Sequence, residues 1–253
     1  MRRVAAAAIF AALLAIGWVA WEANRLPSSD EVRSQLFAHR ALQGQGTWMP
    51  LWAMAPTLQT AVVAWEDPPF FVHSGLNYRE IGRATVINLR EGRYARGAST
   101  ITQQVAKNLF VGPEKNLRRK LREAIVARRI ERALTKDEIL TVYLNIAEWG
   151  DGIVGAEAAS WRYFGKPAAD LDWAEAALLA GILPNPREWN PCDDPARALQ
   201  QRHAVLTELL AAGLISADDF RTADAAPTAV KEMAPRAGVE PTTYRLGGGC
   251  SIH

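Results

Sequence analysis

The hydrophobic pattern opens with residues 4–21, "VAAAAIFAALLAIGWVAW", an apolar run without a single charge. As a helix rising 1.5 Å per residue it just reaches across a bilayer core of about 30 Å. Arg2 and Arg3 precede the run, and Trp18 and Trp21 lie at its far end. By the positive-inside tendency the arginines stay in the cytoplasm, the tryptophans sit at the outer interface and the remainder is exported. A cleaved signal peptide is the rival reading. Its cleavage candidate, "AIG" at 15–17, lies inside the apolar run and is followed by Trp18, which favours a retained anchor.

Beyond the anchor, residues 22–57 read as a polar stalk leading into "GTWMPLWAMAPTLQ", where prolines and glycines rule out a long regular element. From Thr57 the pattern turns helical. Leu58, Ala61, Val62 and Trp65 share a face, and the helix ends at Glu66 and Asp67, where Pro68 and Pro69 forbid its continuation. Further helices are expected at 77–89, over "TITQQVAKNLF" with Ser99 or Thr100 as N-cap, and over residues 115–136. The glycine- and arginine-rich "REGRYARGAST" between the first two is expected to be a mobile loop. Two more helical stretches follow, "KDEILTVYLNIAEWGDGIVGAEAASWRYFGK", broken by Gly150, Gly152 and Gly155, and "LDWAEAALLAGILPNPREWNP"; helices then continue to about residue 224. No period-two alternation, βαβ pattern or internal repeat occurs, so the class is mainly α. From 225 onward an Ala-, Pro- and Gly-rich stretch predicts a loose tail.

Bulk composition changes little. Hydrophobic residues make up 49% and charged ones 22%, which is globular. The net charge of +2 means that electrostatics must come from local clustering. Cys192 and Cys250 make neither a disulfide framework nor a metal site.

Local charge is another matter. Residues 115–136 carry nine Lys or Arg against Glu123 and Glu131 alone. Arg119 stands four residues before Glu123, and Lys120 three, so these side chains can meet on one side of a helix. Either this is a solvated, salt-bridged face, or it is an anion site for a phosphate or lipid headgroup. Nucleic acid is set aside as a partner, because an exported domain rarely meets it. On the preceding helix Ile101, Val105 and Leu109 share one face, and Thr100, Gln103, Gln104 and Lys107 form a hydrogen-bonding strip on another. Glu66 and Asp67 emerge at a helix C-terminus, which already carries partial negative charge. A carboxylate there holds its proton more strongly, which suits a general base.

Five blocks in this order resemble the family 51 glycosyltransferases, the peptidoglycan polymerases also called transglycosylases. "EDPPFFVHSG" is similar to the family's E-D-x-x-F-x-x-H-x-G block, "RGASTITQQVAKNLF" to its G-x-S-T-I-T-Q-Q-x-x-K-N block, and "RKLREA" to R-K-x-x-E. "EILTVYLNIAEWGDGIVGAEAASWRYFGK" and "EAALLAGILPNPREWNP" resemble the fourth and fifth. The likeness spans roughly residues 55–215. The wording of the fourth block resembles the monofunctional, membrane-anchored branch, and no Ser-x-x-Lys motif of a transpeptidase occurs. One departure is Asn77, where relatives usually carry Asp.

The resemblance implies a mainly helical, lysozyme-like fold of two lobes, with an anchor at 1–21, a stalk and the start of the membrane-proximal region at 22–54, a glycosyltransferase domain at 55–224 and a flexible tail at 225–253. It implies lipid II and the growing glycan as substrates, membrane lipid as surroundings, other cell-wall synthesis or division proteins as partners, and a bacterial inner-membrane location with the catalytic domain in the periplasm. Glu66 matches the base and Glu123 the second acidic residue. Asp67, Phe70 and His73 would shape the surroundings of Glu66. Lys107 and Arg119 match diphosphate-holding positions. Ser99, Thr100, Gln104, Asn108 and Lys120 complete the substrate-binding set. No cofactor is required by the pattern, although Glu123 would either orient the cations or support a divalent ion, magnesium or manganese. A lysozyme-like lytic enzyme and a non-catalytic cell-wall scaffold are the alternatives.

Overall fold

The computed structural model describes residues 2–42, 48–91, 99–112, 116–150 and 152–227. Within these the chain forms α1 (Arg2–Asn24), α2 (Ser29–Leu42), α3 (Pro56–Glu66), α4 (Tyr78–Glu91), α5 (Ile101–Ala106) and α6 (Leu117–Ala133). These are followed by α7 (Lys136–Ile146), α8 (Ala156–Phe164), α9 (Trp173–Ile182), α10 (Pro195–Ala211) and α11 (Ala217–Ala225). The described residues contain no strand, only an isolated antiparallel bridge between Glu148 and Val154. The mainly α class expected from periodicity is therefore the class observed. Residues 92–98 of the expected loop, Lys115 at the start of the basic run, Asp151, and the tail from 228 with Cys250 lie outside the described residues, so their expected behaviour is not addressed by the structure.

The chain divides into two compact units, Met1–Ala41 with Phe71–Ile139, and Leu42–Phe70 with Leu140–His253. In the first unit, α1 is long and apolar enough to cross a membrane, and its side chains from Ile9 to Trp21 are largely exposed. The stretch read as a stalk holds a second helix, α2, whose Val32 and Leu36 are buried. Its Arg33 donates to the carbonyl of Ala133 at 2.6 Å and so closes the C-terminal end of α6. Helices α5 and α6 pack on each other through Ile101, Val105, Val126, Ala127 and Ile130, all fully buried.

The second unit is organised around α9. From Ala176 to Ile182 every residue of that helix is buried, as expected for a helix apolar on all sides, and it packs against α3 and α10. An Asp172–Glu175 capping box starts it. The approach to α10 is close at Gly181, where a Cβ would stand 2.8 Å from the Cβ of Gln201 and 2.9 Å from its backbone carbon. Helix α3 is fixed at its start by Ala55 N–H donating to Ala168 O (2.9 Å) and by the Thr57 hydroxyl donating to Leu171 O (2.6 Å). Its Leu58, Ala61 and Val62 are buried, at the spacing read from the sequence.

The glycine-broken segment between α7 and α8 serves packing. Trp149 is wholly buried, and its carbonyl accepts the hydroxyl of buried Tyr163 at 2.7 Å. Asn145 exchanges two 2.8 Å bonds with the backbone of Met49. The fourth sequence block thus contains much of the core of this unit.

Candidate active site

Glu66 is the last residue of α3 and is half-buried. Asp67 follows as the C-cap residue, with its N–H donating to Val63 O at 3.0 Å. The chain turns at once, the Phe70 N–H donating to Asp67 O at 2.8 Å. Asp67 and Phe70 are buried. The Pro-Pro sequence therefore does what its chemistry dictates, ending the helix so that one acid is half-buried and the next is covered.

The remaining expected residues belong to the other unit. Here Gly75, at φ +88°, occupies a left-handed conformation that favours glycine, and a Cβ there would meet Glu131 Cγ at 3.0 Å and Ala127 O at 3.1 Å. Its N–H donates to His73 Nδ1 (3.1 Å), and its carbonyl accepts the Thr100 hydroxyl (2.7 Å). Of the two residues expected to cap α5, Thr100 is the one that does. Its side chain accepts from Gln103 N–H, while the Gln103 side chain accepts from Thr100 N–H, closing a capping box. Asn77 caps α4 with its side chain, its Oδ1 accepting Glu80 N–H at 3.1 Å. Asn and Asp serve equally well at an N-cap, so the departure from the family pattern keeps this local function.

The cluster on α6 is assembled as the i, i+4 and i, i+3 spacings predicted. Glu123 is 1% exposed. Arg119 Nη1 donates to its Oε2 at 2.7 Å, and Lys120 Nζ donates to its Oε1 at 2.6 Å. Gln103 Nε2 stands 3.5 Å from the same Oε1, and Lys120 Nζ also donates to Ser99 Oγ at 2.8 Å. One buried carboxylate thus gathers two cations, leaving a surplus positive charge. The Nε of Arg119 is buried with no hydrogen-bond partner among the described residues.

After Ala106 the helix opens into a π-helical turn, Lys107–Val111, whose first carbonyl accepts Gly112 N–H at 3.2 Å. Nothing in the periodicity foretold this widening, which is often found at functional sites. Lys107 and Asn108 are exposed at its start, and Gln104 is half-buried one turn before Asn108.

Two residues outside the expected catalytic and substrate-binding set belong to the arrangement. Gln103, read from the sequence only as a member of the hydrogen-bonding strip, reaches Glu123. Glu131 accepts the Thr102 hydroxyl (2.6 Å) and Lys136 Nζ (2.7 Å), a tie between α5, α6 and α7 with no motif of its own.

The donor set at Glu123 suits the orienting of cations and does not suit a divalent ion. Both carboxylate oxygens are taken by positively charged donors. No group of three or more His, Cys, Asp or Glu that could hold a metal occurs among the described residues, whereas hard divalent cations need several oxygen ligands.

Comparison with known proteins identifies the family. The family model described as transglycosylase matches residues 33–210. The biosynthetic peptidoglycan transglycosylase of Rhodospirillum centenum is 47% identical over 182 residues, covering 70% of this chain and 78% of that protein. A putative transglycosylase of Cupriavidus necator is 40% identical over 214 residues, covering 85% and 89%. Penicillin-binding protein 1A of Aquifex aeolicus is 45% identical over 172 residues, which are 68% of this chain and 24% of that longer protein. The chain therefore belongs to the transglycosylase family, and it is a peptidoglycan glycosyltransferase.

Proposed function

We propose that this enzyme polymerises lipid II into β-1,4-linked glycan strands, releasing polyprenyl diphosphate with inversion at the anomeric carbon. Glu66 takes the proton of the acceptor's 4-hydroxyl as that oxygen bonds to the donor's anomeric carbon. The bond from that carbon to the diphosphate oxygen breaks, and its electron pair leaves on the diphosphate. Such a leaving group needs positive donors where its charge develops. Arg119, Lys107 and Lys120 supply them, with Gln104, Asn108, Ser99 and Thr100 completing the donor site. Glu123 orients the cations. Asp67, Phe70 and His73 shape the base's surroundings.

The observation that carries this reading is the buried Glu123 holding Arg119 and Lys120 on α6, with Gln103 of the packed helix α5 reaching the same carboxylate at 3.5 Å and the exposed Lys107 four residues after Gln103 on its own helix. A glycan hydrolase acting on uncharged linkages has no use for such a surplus of cations. The apolar α1 would hold the enzyme in the bacterial inner membrane as a single span, its arginine end cytoplasmic and the chain beyond it in the periplasm, beside a substrate that is itself a lipid. Incubating the purified full chain with labelled lipid II tests the reading. Long glycan is expected; small fragments would identify a lytic enzyme and no reaction a scaffold.

A further inference from the structure

The basic run on α6 has two faces, and the proposed donor site uses only one of them. Arg118, Arg122 and Arg129 recur at i, i+4 and i+11, which puts them on a common side of the helix. That side meets the end of α1. Arg118 Nε donates to Glu22 Oε1 at 2.5 Å and its Nη2 to Oε2 at 3.2 Å, a two-pronged pair that fixes orientation as well as distance. Glu22 is 1% exposed. A buried acid at a helix C-terminus opposes the helix dipole and needs cations around it.

About 16 Å further along α6, Arg129 donates to three backbone carbonyls where α1 finishes: Nη1 to Leu26 O and Pro27 O, both at 2.7 Å, and Nη2 to Ala23 O at 3.0 Å. Ala23 is in the last turn of α1, and its carbonyl also accepts Leu26 N–H at 3.1 Å, while Leu26 and Pro27 lie just beyond the helix. Arg25, between the two attachment points in sequence, lies 4.6 Å over the Trp21 ring. The apolar helix is therefore gripped at two points by the helix that carries Arg119, Lys120 and Glu123 on its neighbouring side.

We propose that Glu22 and Arg129 are positioning residues that lock the apolar helix α1 to α6, so that the anchor sets the height and tilt of the anion-binding cluster above the membrane. On this view α1 is a rigid part of the donor half-site as well as a tether. The functional consequence rests on the proposed lipid II chemistry; the mechanical lock does not.

The test separates the two. In the full-length protein, with Cys192 and Cys250 replaced, spin labels at Leu13→Cys on α1 and Arg132→Cys on α6 report the distance between the helices in lipid nanodiscs. A narrow distribution is expected in the otherwise native chain, clearly broader in Glu22→Gln and Arg129→Gln. Arg129→Lys should also broaden it, since an ammonium keeps the charge but presents its donors from one nitrogen and lacks the planar fork whose two nitrogens reach the separate carbonyls. A broad distribution in the native chain, or an unchanged width in Arg129→Lys, would overturn the lock, and neither outcome depends on any activity.

In the second arm, Glu22→Gln and Arg129→Lys should lower turnover of bilayer-embedded lipid II by about 3- to 10-fold, less than the roughly 100-fold that a 1 Å misplacement of reacting groups can cost. Turnover of detergent-dispersed substrate should hold. Equal losses in both media would refute the positioning role even if the lock stands. Inactivity of the unsubstituted chain in both would instead remove the proposed function while leaving the distance result intact.

Discussion

Replacing Glu123 by glutamine probes the cluster at its centre. The carboxylate is 1% exposed and accepts from Arg119 and Lys120. Each charge-assisted bond contributes roughly 1.5–3 kcal/mol, and an amide of the same shape recovers one neutral bond worth about 1 kcal/mol. The two cations differ in what they can do next. The Lys120 side chain is 42% exposed and the Arg119 side chain 13%, so the lysine can turn to water while the guanidinium stays covered and unpaired. Breaking a fully buried pair costs about 3–5 kcal/mol, and discounting for the lysine leaves roughly 3 kcal/mol. For a protein of this size 1 kcal/mol moves the melting temperature by about 2–4 °C, so the expected drop is on the order of 6–12 °C. Thermal denaturation of the full chain in detergent measures it. A second scan of Glu123→Gln with Lys120→Met should show that the two losses do not add, because they share one carboxylate. A melting temperature within about 2 °C of the native value would mean that the cluster is a solvated ion pair, and the electrostatic basis of the donor site would fall with it.

Glu66→Gln should abolish polymerisation, a loss of about 10²–10⁴ in rate for a missing general base, with the melting temperature unchanged; near-normal turnover of lipid II would remove Glu66 from that role. Lys107→Ala and Arg119→Ala should each reduce transfer strongly and weaken binding of a phosphoglycolipid inhibitor of the moenomycin type, so unchanged titrations together with unchanged activity would sink the diphosphate assignment. Gly181→Ala should destabilise the second unit by about 1–3 kcal/mol, the usual cost of overpacking, since the new Cβ meets the backbone of Gln201 at 2.9 Å; an unshifted melt would show that α9 and α10 separate freely. Deleting residues 1–21 should impair activity on membrane-embedded lipid II more than on detergent-dispersed substrate, because the anchor concentrates enzyme on the surface holding its substrate, and equal losses would disprove that contribution.

Local physics was readable from the chain alone. The apolar run of α1, the spacing of Leu58, Ala61 and Val62, and the stop at Pro68 depend on neighbours a few residues away. The same is true of the Arg119, Lys120 and Glu123 constellation, because a helix brings i+3 and i+4 residues together wherever it lies. The choice between solvated face and buried cluster was different. It needed α5 to cover Glu123, and whether a helix face is covered depends on residues far off in sequence. Tertiary contact likewise separated the arginines of one basic run, Arg119 paired to Glu123 and Arg118 and Arg129 holding the end of α1 from about a hundred residues away. It gave Gly181 its packing role and made the glycine-broken block a source of core residues around Trp149. Periodicity records which side chains share a face. What each face meets is decided by the free energy of packing the whole chain, in which distant segments compete to cover the same apolar and charged surfaces.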